Sequence, residues 1–264
     1  MYIHNLNPIL INLELFEIRW YSLAYIVGIL AGWYFGKRVL YFKNKQESVS
    51  FKPDDFDDLI SHIIISIIIG GRLGYVLFYN LEYFLDNFID VFKIWEGGMS
   101  FHGGLIGVII GTYFFAKKKN IKIFLILDII SYVAPIGLFF GRIANFINSE
   151  LVGIPSNIYW SVVFPLYDNL PRHPSQIYEA LLEGLILFVV LHILIYNEKV
   201  LTGICSSIFL ILYGIFRIFA EQFREPDIQI GYLFKSISIG SVLSFVMIVI
   251  GIFILTVVSR HESN

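Results

Sequence analysis

Seven stretches of the chain are dominated by apolar residues: 20–40, 58–79, 100–116, 123–141, 175–196, 202–222 and 237–258. Each is close to the ~20 residues that a helix rising about 1.5 Å per residue needs to cross a hydrocarbon core about 30 Å thick. The pattern predicts an all-α, polytopic membrane protein with seven transmembrane helices, built as one integral membrane domain over residues 1–264. The runs are not uniformly greasy. Arg72, His102, Arg142, Asn145, Glu179, Glu183 and Arg217 interrupt or border them, with many glycines. Polar groups are costly in hydrocarbon, so these positions carry more information than the apolar ones around them.

Composition supports the membrane reading. The chain is 57% hydrophobic, 17% aromatic and 15% charged, against about 25% charged in ordinary soluble domains. A length of 264 residues is ample for a soluble core, so the deficit points to a different solvent rather than to a small fold. A single cysteine excludes a disulfide scaffold, and a net charge of −2 offers no basic field for nucleic acid. The first run lacks a cleavable signal peptide's features, because Glu14 and Glu17 precede it and no small-residue cleavage site follows.

Lysines and arginines then orient the helices. Lys37, Arg38, Lys43, Lys45, Lys52, Lys117, Lys118, Lys119, Lys122, Lys199 and Arg260 fall on one side, 11 of the 19 basic residues. Arg19, Lys93, Arg172, Arg224 and Lys235 fall on the other. The positive-inside rule predicts an extracytoplasmic N-terminus and a cytoplasmic C-terminus. Trp20, Trp33, Trp95 and Trp160 suit interfacial belts. The outer segment 142–174 holds Pro155, Pro165, Pro171 and Pro174. It is long for a turn and reads as a small extracytoplasmic cap. Segment 80–99 reads as partly amphipathic and interfacial.

Four constellations could carry chemistry. In Gly97–Gly107, Gly103 and Gly107 continue to Gly111 at a spacing of four, which lets helix backbones approach closely. His102 sits just before that face, where an imidazole could remove a proton or simply be a hydrogen-bonded packing residue. In Gly141–Gly153, Arg142 and Asn145 share a helix face, and Asn148 and Glu150 follow. A guanidinium offers a fork matched to phosphate oxygens, whereas a snorkelling arginine needs no such company.

The third constellation, Arg172–Glu179, reads mostly as a helix start at Pro174 and Ser175, although Glu179 and Glu183 enter an apolar run and need partners. The fourth places Tyr213, Arg217 and Glu221 on one stripe. A charge at the centre of a spanning helix costs roughly 2.5–3.5 kcal/mol. An i,i+4 pair returns only about 0.2–0.5 kcal/mol. Arg217 should therefore face a polar cavity, or else join a structural ion pair between helices. Arg72 and Tyr25 are weaker signals. Cys205, among apolar neighbours, reads as packing. No metal-ligand spacing is present and no cofactor is expected.

These charges gather at the outer ends of the predicted helices, which suits an anionic phospholipid head group entering sideways from the bilayer. A transporter or flippase for an anionic lipid or solute would also bury charges, but along a pathway open to both sides.

At this point the motifs are similar to those of the bacterial prolipoprotein diacylglyceryl transferases, over nearly the whole chain. The resemblance rests on Gly141-Arg142-Ile143-Ala144-Asn145-Phe146-Ile147-Asn148-x-Glu150 with Gly153. It rests also on His102-Gly103-Gly104-Leu105-Ile106-Gly107, on His173-Pro174-Ser175-Gln176-x-Tyr178-Glu179, and on Tyr213-Gly214-x-x-Arg217-x-x-x-Glu221-x-x-Arg224-x-Pro226-Asp227. The chain departs from the family at Ile239-Gly240-Ser241, where Met-Gly-Gln is more usual.

The resemblance implies an enzyme of the bacterial inner membrane. It would move the diacylglyceryl group of phosphatidylglycerol to the lipobox cysteine thiol of a prolipoprotein signal peptide and release glycerol 1-phosphate. It implies His102, Arg142 and Arg217 as catalytic candidates. Tyr25, Asn145, Glu150, Gly153, Tyr213 and Glu221, with Arg142, would bind phosphatidylglycerol.

Overall fold

The computed structural model describes residues 2–13, 17–46, 50–79, 81–94, 97–225, 232–233 and 237–262. Trp95, Pro226, Asp227 and Lys235, named above, lie outside them, as does Glu14. The helices are α1 (Trp20–Gln46), α2 (Pro53–Tyr79), α3 (Leu81–Asp86), α4 (Phe101–Lys119), α5 (Ile123–Ile147), α6 (Ser175–Glu179), α7 (Leu187–Ile195), α8 (Ile204–Glu221) and α9 (Ile239–Glu262). A π-helical stretch, Ala180–Ile186, joins α6 to α7, so residues 175–195 form one apolar rod. Each helix coincides with one of the apolar runs, apart from the short α3.

Among the described residues, six helices are long and apolar enough to cross a membrane: Trp20–Lys45, Pro53–Leu77, Ile123–Ile147, Ser175–Ile195, Ile204–Glu221 and Gly240–Arg260. The chain is thus an all-α polytopic membrane protein. The predicted seventh, α4, is helical over 19 residues but ends in Lys117, Lys118 and Lys119. Its glycines and this basic end dilute the apolar stretch below what the other six possess.

The chain divides into two compact units, Met1–Val39 with Leu127–Asn264, and Leu40–Ile126. In the second unit α2 and α4 run antiparallel, backbone against backbone. A Cβ added at Gly103 would lie 2.3 Å from the Gly70 carbonyl oxygen, and one at Gly107 would lie 2.2 Å from that of Ser66. The spacing of small residues thus produces the close approach it predicts. Ser100 caps α4 by accepting the Gly103 N–H at 3.1 Å, which satisfies an otherwise orphaned donor. At the far end Lys119 reaches Asp55 (2.8 Å) and Asp58 (2.7 Å) in the first turns of α2. Arg72 is buried and donates to the carbonyls of Asp90, Val91, Lys93, Gly97 and Gly98. It thereby ties the backbone of Asp90–Lys93 and of Gly97–Gly98, just ahead of α4, to α2.

In the first unit α5 and α8 are tied by a carboxylate. Buried Asp128 accepts the N–H groups of Gly203 (2.6 Å) and Ser206 (2.8 Å), so it caps α8 from a neighbouring helix and places negative charge at its positive end. Along α8 and α9 a Cβ at Gly214 would meet the Ser244 carbonyl oxygen at 2.7 Å. A Cβ at Gly184, in the π stretch, would meet Phe139 of α5 at 2.7 Å.

Helix α5 runs through Arg142 and Asn145 to Ile147, so non-helical chain begins at Asn148. From there to Pro174 it wraps a small core of Val152, Val162 and Phe164, against which Phe146 packs. Short strands staple it: β1 (Tyr2–Ile3) pairs parallel with β2 (Val162–Val163), which pairs antiparallel with β3 (Pro171–Arg172). His4 closes one side, with its ring 5.1 Å from that of Phe146.

Gly103→Leu should separate α2 from α4, because a side chain has no room at that crossing. Overpacking of this kind costs about 1–3 kcal/mol. Thermal unfolding of the detergent-solubilised protein is expected to shift down by several degrees, and an unchanged melting temperature would contradict the packing.

Candidate active site

The C-terminal ends of α5 and α8 and the start of α6 meet at one end of the first unit, and they bring their charges with them. Arg142, near the end of α5, sets Nε 2.8 Å from Glu179 Oε2 and donates through Nη2 to Glu183 Oε2 at 3.3 Å. Arg217, on α8, donates through Nη1 to Glu179 Oε1 at 2.8 Å and lies 3.7 Å from Glu183 Oε1. Its Nη2 is 2.7 Å from Glu221 Oε2, one helical turn away. Arg224, just beyond α8, approaches Glu179 Oε1 at 3.8 Å. Glu179 and Glu183 are 0% exposed. Several of these contacts, Arg142 Nε to Glu179 Oε2 among them, are close ion pairs rather than aligned hydrogen bonds.

Three guanidinium groups and three carboxylates in one buried cluster balance in formal charge. That balance is what makes burial tolerable. A lone ion taken out of water costs several kcal/mol even after relaxation, and mutual attraction offsets that cost only where partners are close. Glu183 lies within the π stretch and Glu179 immediately before it, a widened helical turn of the kind often found at functional sites. Tyr213, one turn before Arg217, stacks on Phe209 with centroids 5.7 Å apart.

A second set of contacts lies beside the first. Asn145 donates to Glu150 Oε2 at 3.0 Å and Asn148 to Glu150 Oε1 at 3.3 Å. The Glu150 carbonyl accepts from the Gln176 side chain at 2.6 Å, and the Leu151 carbonyl accepts from Ser175 Oγ at 3.0 Å. Tyr25, 58% exposed on α1, has its ring 5.1 Å from that of Tyr21.

Gly153 is where the 148–174 segment is threaded tightest. Its N–H donates to the His173 carbonyl at 3.2 Å and its carbonyl accepts from Arg172 at 2.8 Å. A bridge joins it to Arg224. Arg172 also pairs with Asp168 and Glu225, and its guanidinium holds the Asp168 carboxyl below the usual carboxylate range. Burial pushes the His173 imidazole below its ordinary value.

The structure thus brings Arg142, Arg217, Glu221 and Tyr213 into one cluster and sets Asn145 with Glu150 in a second. Gly153 is instead a close-packed point of the adjoining segment. His102 is the second residue of α4, but its side chain lies outside what is described. Reading the third motif as a helix start understated it. Helix α6 does begin at Ser175, yet the Ser175 hydroxyl bonds to Leu151 instead of capping, and Glu179 is the shared acceptor of the cluster. Its signal was present in the sequence: two glutamates spaced by four inside an apolar run. Arg224 entered only as a residue of the fourth motif; its place beyond the helix gave no sign of its approach to Glu179.

A model of the family "Prolipoprotein diacylglyceryl transferase" matches residues 8–257. The chain is 48% identical to the phosphatidylglycerol–prolipoprotein diacylglyceryl transferase of Rickettsia typhi, over 97% of this chain and 98% of that one. Identity to the enzyme so named from Rickettsia felis is 46%, covering 95% and 96%. For that of Rickettsia bellii it is 44%, covering 95% of each chain.

Gly153→Ala tests the tight threading. The added methyl would lie 2.3 Å from the His173 carbonyl oxygen and 2.6 Å from that of Phe223, and neither backbone atom can swing aside. Limited proteolysis should cut the 148–174 segment markedly faster in the variant. Wild-type resistance would contradict the tight threading.

Proposed function

The chain belongs to the prolipoprotein diacylglyceryl transferase family, and from that premise we propose how its buried cluster works. The enzyme is a multi-pass protein of the bacterial inner membrane. It transfers the diacylglyceryl group of phosphatidylglycerol to the lipobox cysteine of a prolipoprotein. The cysteine sulfur bonds to the glyceryl carbon that carries the phosphate ester, the C–O bond breaks, and its electron pair leaves on glycerol 1-phosphate. The thiol proton goes to a base.

One observation carries the assignment of roles: Arg142 and Arg217, from different helices, converge on a single buried carboxylate. As the C–O bond breaks, the phosphate gains negative charge. Two guanidinium groups held in a water-poor region stabilise that charge far more than they would in water, and without reorganising. Arg142 and Arg217 therefore receive the departing phosphate, with Glu221 and Tyr213 orienting Arg217. Asn145, Glu150 and Tyr25 order the glycerol head group, and Gly153 lets the backbone of the adjoining segment pass close beside them. A free thiol has a pKa of about 8.5, so a base raises its thiolate fraction near neutrality. His102 takes that role by its motif position.

In this reading α4 crosses the membrane as a seventh helix, supported by its close antiparallel packing on α2. Seven crossings and the lysine distribution put the N-terminus outside and the C-terminus in the cytoplasm. Residues 142–174 then form the extracytoplasmic cap within a single domain. The cluster faces the outer leaflet, from which phosphatidylglycerol arrives laterally.

Purified protein incubated with phosphatidylglycerol vesicles and a lipobox peptide should add a diacylglyceryl mass to the peptide and release glycerol phosphate. Lipid movement without covalent product would overturn the reading in favour of transport. Arg142→Ala should slow transfer by about 10²–10³-fold in protein that still inserts, and near-full activity would remove Arg142 from the phosphate site. His102→Gln should lower the rate and flatten its rise with pH, and an unaltered rate and profile would exclude His102 as the base.

A further inference from the structure

We propose that Glu179 is the positioning residue of this site: one carboxylate that sets the spacing of Arg142 and Arg217 and thereby the rate of the transfer step. The proposal rests on the reading that these two arginines receive the departing phosphate.

Three observations lead to it. The first is connectivity. Glu179 uses both oxygens, Oε2 at 2.8 Å from Arg142 and Oε1 at 2.8 Å from Arg217, and Arg224 lies 3.8 Å from Oε1. Among the described residues no other carboxylate makes short contacts with both arginines. Glu183 touches the same pair at 3.3 and 3.7 Å, and Glu221 pairs with Arg217. The two carboxylate oxygens are fixed relative to each other by covalent geometry, so a group that engages one arginine with each acts as a rigid spacer.

The second observation is that Glu179 is itself held. It is 0% exposed, as are Ser175 and Gln176 in the same short helix. Those two side chains are tied to the Leu151 and Glu150 carbonyls. Tyr178, the neighbour of Glu179, accepts from Trp160 Nε1 at 2.7 Å and meets His173 Nδ1 at 3.1 Å. The helix carrying the spacer is thus pinned to the backbone of the residue whose carboxylate holds Asn145.

The third is which atoms are used. Arg142 meets the carboxylates through Nε and Nη2, and Arg217 through Nη1 and Nη2. Arg142 Nη1 and Arg217 Nε stay outside these pairs, so the spacer orients both guanidiniums without engaging every donor. An error of about 1 Å in such a constellation can cost on the order of 10² in rate.

The test separates reach from charge. Glu179→Asp keeps the charge and shortens the reach by one methylene; Glu179→Gln keeps the reach and removes the charge. In the vesicle assay Glu179→Asp should lower kcat at least about 10-fold, with KM for the lipobox peptide close to wild type. Glu183→Asp should lose less, because its contacts are already long. Combining Glu179→Asp with Arg217→Lys should cost much less than the product of the two single losses, as expected when one residue acts through the other.

A residue that only stabilises the fold would reduce the yield of inserted protein and leave kcat per folded molecule unchanged. That result, or equal losses in Glu179→Asp and Glu183→Asp, would overturn the proposal. Should Glu179→Asp fail to give monodisperse protein, Glu179→Gln decides by the same kcat-against-KM criterion. Absence of thioether product with the wild-type chain would instead overturn the functional reading itself.

Discussion

Charge balance inside an apolar bundle is the constraint on which the rest of the first unit depends. A guanidinium buried in a membrane-spanning helix is not balanced by one intrahelical neighbour, since an i,i+4 pair contributes only about 0.2–0.5 kcal/mol. It needs carboxylates from other helices. Arg142 and Arg217 find them in Glu179 and Glu183. Once that pairing is required, α5, the 175–195 rod and α8 must converge at one end. The small residue Gly184 against Phe139 and the Asp128 cap on α8 hold those helices in register so that they can. Packing and polar geometry here solve the same problem.

The non-helical segment extends this logic outward. It leaves α5 just after Asn145, returns its Glu150 carboxylate to that same asparagine, and lends two backbone carbonyls to the start of α6. Arg172 ties it to itself through Asp168 and to the end of α8 through Glu225. The charged groups of the cluster therefore sit on helices, while the connecting chain fixes the spacing between them. A site meant to stabilise charge in a transition state benefits from this arrangement, because preorganised donors need not rearrange during the reaction.

Much of this was legible in the sequence, for identifiable reasons. Apolar runs located every long helix because a bilayer imposes a length. The glycines of α4 announced the contact with α2 because only backbone can approach backbone that closely. The Arg217–Glu221 pair followed from a spacing of four. The central role of Glu179 did not follow, because its partners lie 37 or more positions away in the chain, and a helix-start motif already explained its neighbours. The contact of Arg224 with Glu179 was hidden for a similar reason: Arg224 stood in a motif, but it lies beyond its helix and reaches the cluster only through the fold. The weak apolar character of α4 shows the limit of hydropathy, since the glycines that permit its packing also lower its score as a span.

A structure of the full chain in nanodiscs containing phosphatidylglycerol, determined by electron cryomicroscopy, bears most directly on the central claim. The lipid phosphate is expected within about 3 Å of guanidinium nitrogens of both Arg142 and Arg217, with Glu179 still between them. A phosphate bound elsewhere, with both arginines engaged by the glutamates alone, would contradict it.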